Sequence, residues 1–309
     1  MCYTQVRIFI LICVVDVPQR LMPPVPVPFR FRGLDIIGTV FFLLNIVLFV
    51  FNTFMISLRF YFFPETFKAS VMHPTESLFV PASVVSFGTI LINSSQYGLG
   101  ETGNWLKTAV LVMFWIYCAM AMIASCTFYL LMYELIVPGM SCSPQFWLTI
   151  SCFRWSTQTF TISRMTPIWI FPAYPLLIIG PYAGILSSQL SPKRALDIVI
   201  AGVILQGIGF MVSLMIYSAF VYRLMTHKLP KESSRPGMFV SVGPSGFTVS
   251  GIINMAANAH RVLPKDFMGD GAMAAMILKV MANWMGIWIW GYVVTFGYQL
   301  LEPRTVYIG

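Results

Sequence analysis

Seven apolar stretches dominate this chain, near residues 34–62, 77–97, 105–133, 166–188, 195–222, 236–258 and 271–301. Each is long enough to cross a bilayer. They come in two kinds that alternate. The first, third, fifth and seventh contain no proline. The second holds Pro81 and Gly88, the fourth Pro167, Pro172, Pro175 and Pro181, and the sixth Pro236 and Pro244. A proline removes a backbone donor and disturbs the turn before it. In hydrocarbon the carbonyl set free needs a partner, so such a segment must be buried in protein or line a watery cavity. Membrane helices also tolerate proline without any special role. The regularity of the alternation favours hairpin repeats, with broken helices inside and smooth ones facing lipid.

Composition points the same way. The chain is 58% hydrophobic and 10% charged, against roughly 25% charged for a soluble domain. The expected fold class is an all-α, polytopic integral membrane protein. Residues 1–33 read as an irregular N-terminal segment, 34–301 as the transmembrane helical domain, and 302–309 as a tail. Within the first segment, Ile8 to Val15 is apolar but far too short to span, and Pro18 to Pro28 holds five prolines. The six cysteines (2, 13, 118, 126, 142, 152) show neither metal-ligand nor disulfide-framework spacing. No cofactor and no nucleic-acid partner is expected. The net charge of +8 fits a positive-inside bias and would also concentrate anions near a pore mouth. The densest short basic loop, 223–235, is expected in the cytoplasm.

One stretch carries most of the functional signal: Arg235-Pro-Gly-Met-Phe-Val-Ser-Val-Gly-Pro-Ser-Gly-Phe-Thr248. Ser241, Ser245 and Thr248 fall at i, i+4 and i+7, on one helical face. Ser83, Ser86 and Asn93 repeat the pattern in the second span. Both stripes suit the wall of a polar path; both also suit close helix packing through small polar residues. His73-Pro-Thr-Glu-Ser77 opens the second span, so that His73 and Glu76 form either a proton-sensitive pair at a pore mouth or part of a helix cap. Breaks at Pro172, Pro175 and Pro244 would each start a new half-helix, whose partly positive N-terminus holds carboxylates without a full charge in lipid. Arg235 at the mouth of the sixth span would attract dicarboxylates or anchor at the interface, and Phe247 lies on the same helix. Gly243-Pro-Ser-Gly246 superficially resembles a serine-protease motif, but no histidine base lies within a span. Gly269-Asp270 has no buried acidic partner for an aspartyl-protease site.

Together these residues resemble the fungal C4-dicarboxylate (malate) permeases of the tellurite-resistance/dicarboxylate transporter family. That family also holds fungal sulfite efflux pumps and plant slow anion channels. Phe31-Arg-Gly-Leu-Asp35, His73-Pro-Thr-Glu-Ser-Leu-Phe79 and Met165-Thr-Pro-Ile-Trp-Ile-Phe-Pro172 agree, in the family's order. The resemblance covers roughly residues 29 to 301. It implies a ten-helix fold of five hairpins, with a kinked inner ring around a central anion path and a straight outer ring. The seven spans take places two to eight. It further implies proton-coupled transport of C4-dicarboxylates such as malate, with sulfite efflux or an anion channel as the alternative on the same fold, residence in the plasma membrane, and a homotrimer. Nothing here matches the family's first helix or its last two, and Pro138 to Arg164 reads as inserted sequence. The expectation is a chain truncated at both ends. A non-transporting remnant or a seven-helix receptor are the readings from another class.

Overall fold

The computed structural model of the chain describes residues 32–65, 80–101, 104–136, 165–226, 240 and 242–301. His73, Glu76, Arg235, Ser241, the 138–164 stretch and the tail 302–309 lie outside the described residues, as does nearly all of 1–33.

Each of the seven apolar stretches forms a helix: α1 (Arg32–Phe62), α2 (Pro81–Glu101), α3 (Asn104–Ile136), α4 (Tyr174–Ser187), α5 (Pro192–Thr226), α6 (Val242–Ala257) and, after the short α7 (Ala259–Val262), α8 (Gly271–Leu301). A 3-10 segment, Pro167–Ala173, runs directly into α4. No strand occurs among the described residues. Five spans are long and apolar enough to cross a membrane by those criteria alone: α1, α3, the 3-10 segment with α4, α5 and α8. The other two fall short for visible reasons. α2 carries Ser83, Ser86, Thr89, Asn93, Ser94, Ser95 and Gln96, and α6 has only 16 residues. That gives α6 about 24 Å at 1.5 Å per residue, against a hydrocarbon core of roughly 30 Å. The helices of the second and sixth stretches are described from Pro81 and Val242, and the expected starts at 77 and 236 lie outside the described residues. Pro81 is the first residue of α2, where its missing N–H has no helical partner to lose.

Chain direction follows from the contacts. Gly88 of α2 meets Tyr117 of α3, and Gly98 meets Leu106, so α2 and α3 form a hairpin. Tyr117 donates to the Pro175 carbonyl at 3.1 Å and Tyr182 to the Val110 carbonyl at 3.1 Å, which sets α3 antiparallel to α4. α5 returns along α4, with Gly209 against Leu176 and Gly202 against Ala183. Gly286 of α8 faces Ile253 and Val249 of α6. α2, α4 and α6 are therefore parallel, and each is paired with a helix whose apolar run holds no proline, running back. α4 lies between α2 and α6 and also packs on α3 and α5; α1 lies against α2, and α8 against α6.

Burial separates the two kinds of helix. In an 18-residue window of the Pro167–Ser187 span 83% of residues are buried, against 6%, 33%, 28% and 17% in the matching windows of α1, α3, α5 and α8. The outer helices turn bulky apolar side chains outward, among them Phe54, Trp115, Met215 and Trp288. Lipid is as apolar as those side chains, so the bundle is held by packing and hydrogen bonding rather than by hydrophobic collapse. Glycines mark the closest approaches. A Cβ on Gly88 would stand 2.6 Å from the Tyr117 ring, and one on Gly184 2.6 Å from the Asn254 side chain. Arg59 and Lys279, the two cations the sequence places at or inside apolar runs, are both exposed on the outside of the bundle.

Candidate functional site: the junction of α4 and α6

α4 and α6 begin side by side. Tyr174, the first residue of α4, donates its hydroxyl to the Val240 carbonyl at 2.5 Å. Val240 lies four residues before Pro244, whose ring nitrogen has no hydrogen to offer that carbonyl. A side chain of one inner helix thus serves a backbone acceptor that proline leaves open on the other. The approach depends on Gly243, where a Cβ would lie 2.2 Å from the Tyr174 oxygen. Around this bond three rings gather. Phe171 stacks on Tyr174 at 5.1 Å, and Phe247 meets Tyr174 edge-on at 5.9 Å.

The depth of this junction follows from the element lengths. The seven-residue 3-10 segment rises about 14 Å, and the 14-residue α4 adds about 21 Å. Tyr174 therefore sits well inside the span. The 3-10 segment passes into α4 at that level without a break, the Tyr174 N–H donating to the Phe171 carbonyl. Pro172 lies within the 3-10 segment, Pro175 in the first turn of α4 and Pro244 in the first turn of α6, all buried. Pro181 stands inside α4 itself.

A second contact locks the pair together. Gln206 of α5 is almost fully buried, and its Nε2 donates to the Phe247 carbonyl at 3.0 Å. Its side chain passes between Gly180 of α4 and Gly251 of α6. At the far end of the two helices a polar cluster takes over. Asn258 donates to the Gly184 carbonyl at 2.8 Å and the Asn254 carbonyl at 3.1 Å, and Asn254 to Ser250 at 3.2 Å. Arg261 donates to the carbonyls of Ser188, just past α4, and Leu190, where a cation suits the negative end of a helix.

The sequence-derived candidates divide. Ser245 and Thr248 are buried on α6 beside the junction, and Phe247 is part of it. Thr248 donates its hydroxyl to the Pro244 carbonyl of its own helix at 2.7 Å. Ser86 does the same toward Ala82 at 3.0 Å, and exposed Ser83 toward Val80 at 2.7 Å. These three protons are spent on local backbone, which matches the packing reading of the stripes. The two stripes do not adjoin, because α4 lies between α2 and α6. Asn93, the start of a glycosylation sequon, is buried within α2. Tyr174 and Gln206 were not singled out by the sequence. The available signal was a lone glutamine in the apolar run 195–222, and a tyrosine between the prolines at 172 and 175.

Comparison with known proteins gives this geometry a family. A family model described as voltage-dependent anion channel matches residues 10–300. The chain is 32% identical over 265 residues to a malic acid transport protein of Schizosaccharomyces pombe, covering 85% of this chain and 55% of that protein. A putative malic acid transport protein of the same organism is 27% identical, over 85% of this chain and 56% of its own length. A sulfite efflux pump of Arthroderma otae is 25% identical, over 85% and 66%. The chain thus spans about half the length of the malic acid transport relatives it matches. No solved structure matches it. These relatives carry the names of transporters and channels, not of enzymes. An all-α membrane protein of paired inner and outer helices, matched over nearly its whole length, belongs to the SLAC1 family of voltage-dependent anion channels.

Proposed function

We propose that this protein moves C4-dicarboxylates such as malate across the plasma membrane together with protons, along a path bounded by α2, α4 and α6. The observation that carries the reading is the junction described above. α4 and α6 meet deep in the span at buried prolines, a pairing of broken inner helices that suits an anion path. The relatives named for malic acid transport supply the substrate class. In this reading Ser245, Thr248, Pro244 and Phe247 line the path on α6, Pro172 and Pro175 on the α4 side, and Ser83 and Ser86 on α2. His73, Glu76, Arg235 and Ser241 stand at its entrance, and residues 34–301 act as one transporter domain, assembled as a homotrimer.

The test is uptake of labelled malate into a transport-null yeast expressing the native transcript. Uptake should rise as external pH falls, and Arg235→Ala should raise the apparent KM for malate. Expression at the cell surface without pH-dependent uptake would refute the substrate and its coupling. The relatives named as sulfite efflux pumps support a second reading. Rescue of sulfite sensitivity without malate uptake would establish it in place of the first.

A further inference from the structure

We propose that Gln206 is a positioning residue: its amide, inserted from the outer helix α5, sets the separation of α4 and α6 and holds Phe247 against Tyr174. The inference rests on the reading that the α4–α6 seam borders the anion path.

Gln206 is the one amide side chain in α5, a helix whose other middle residues are apolar or small. It lies on the buried stripe Gly202, Gln206, Gly209, Ser213, Tyr217, so it faces the inner helices and not lipid. Both walls of its seat are glycine. A Cβ on Gly180 would stand 1.3 Å from Gln206 Oε1, and one on Gly251 2.2 Å from it. The seat exists only because both inner helices lack a Cβ at these positions.

The amide uses one end and not the other. Nε2 donates to the Phe247 carbonyl, while buried Oε1 has no hydrogen-bond partner among the described residues. A leucine or methionine would fill similar space and leave no unmet acceptor, so packing alone does not account for a glutamine here. What an amide adds is a directional bond to α6. That bond fixes the rotation of α6 at Phe247, whose ring meets Tyr174 at the junction. Tyr174 holds Val240 just before the start of α6, and Gln206 holds Phe247 little more than a turn after it. Together they leave the first turns of α6 no freedom to slide along α4.

The experiment compares wild type, Gln206→Leu and Gln206→Glu in the full chain, reconstituted in lipid nanodiscs without substrate. The readout is hydrogen exchange of the backbone amides in 245–251, corrected for the intrinsic effect of pH. Gln206→Leu loses the bond to Phe247, and exchange in this segment should quicken about tenfold at every pH, the factor expected for one buried hydrogen bond. A glutamate keeps the bond only while protonated, when its hydroxyl replaces Nε2 as donor. The seated form is therefore complete at low pH and lost as the carboxyl ionises. Gln206→Glu should exchange like wild type at low pH and like Gln206→Leu at high pH.

Equal exchange in all three proteins overturns the proposal. So does exchange that is faster in both variants at every pH, because that pattern reports lost packing and not a lost bond. If Gln206→Leu fails to insert, the pH series on Gln206→Glu decides alone. Malate uptake is read separately, as the ratio of Gln206→Glu to wild type across pH, and should fall as pH rises. A wild-type protein that carries no malate refutes the proposed function while leaving the exchange result intact. A flat uptake ratio beside a pH-dependent exchange overturns the link between the seam and the path.

Discussion

Replacing Tyr174 by phenylalanine removes one oxygen and keeps both ring contacts, to Phe171 and to Phe247. The oxygen's work is to donate to Val240. Hydrogen bonds between membrane helices average about 0.6 kcal/mol and reach about 1.7. At 2.5 Å in a part-buried site, and with an acceptor that Pro244 cannot serve, this bond belongs in the upper half of that range, at about 1 kcal/mol. The sharper expectation concerns Pro244. Pro244→Ala restores an N–H four residues after Val240, so the carbonyl gains a helical donor and depends less on Tyr174. Tyr174→Phe should then cost about 0.3 kcal/mol or less, leaving a coupling of roughly 0.7 kcal/mol between the two changes. Reversible unfolding in mixed detergent micelles, run on wild type, both single variants and the double variant, measures it. If Tyr174→Phe costs the same in both backgrounds, the hydroxyl does not stand in for the missing amide hydrogen, and the account of this junction fails.

Other expectations are simpler. Gly180→Ala drives a methyl into Gln206 Oε1 and should cost about 2 kcal/mol by expelling the amide and its bond to Phe247; a cost under about 0.5 kcal/mol in the same unfolding assay would show that the seat is roomier than described. Ser86→Ala and Thr248→Val delete hydroxyls already bonded to their own helices, so even as lining residues they should leave initial uptake rates within about twofold of wild type, and a tenfold loss would show that these hydroxyls serve the anion and not their own backbone. Asp270 caps α8, its Oδ1 accepting from Ala272 N at 2.9 Å and Met273 N at 3.3 Å. Asp270→Ala should lower stability by about 1 kcal/mol, measured by thermal unfolding in detergent, with uptake per folded molecule unchanged.

The helices were legible because lipid forces the backbone to satisfy itself, which turns apolar length directly into helix. The sorting into inner and outer helices was legible too. Pro81, Pro175 and Pro244 all fall in first turns of the three parallel helices, and the proline-free runs became their outer partners. The site was legible only in part. Local spacing places Ser245, Phe247 and Thr248 on one helix, but it carries no information about what a distant helix presents to them. Tyr174 reaches Val240 across 66 residues and Gln206 reaches Phe247 across 41, so neither bond leaves a periodic trace. The glycines that admit them read in isolation as flexibility. Gly243, Gly180 and Gly251 are instead places where another side chain needs the room. The hydroxyl stripes were legible only in position, because spacing shows that Ser83 and Ser86 share a helix but not that each has already bonded its own backbone.

The near-complete burial of the Pro167–Ser187 span also bears on how the chain is made. Helices leave the translocation machinery in order of synthesis, and a smooth apolar helix such as α3 is at ease in lipid as soon as it arrives. The span containing α4 is not. Pro172 and Pro181 leave carbonyls that lipid cannot satisfy, and Tyr129 of α3 stands at 3.5 Å from one of them, on Trp169. Of its other neighbours, α2 is already in place, but α5 and α6 have yet to be synthesised when it emerges. This segment is therefore expected to linger beside the exit site, leaning on α2 and α3, until α5 folds back along it. Lengthening the connection at 188–191 would prolong that wait and expose the nascent chain to quality control, over and above the loss of the Arg261 bonds to Ser188 and Leu190 in the finished protein.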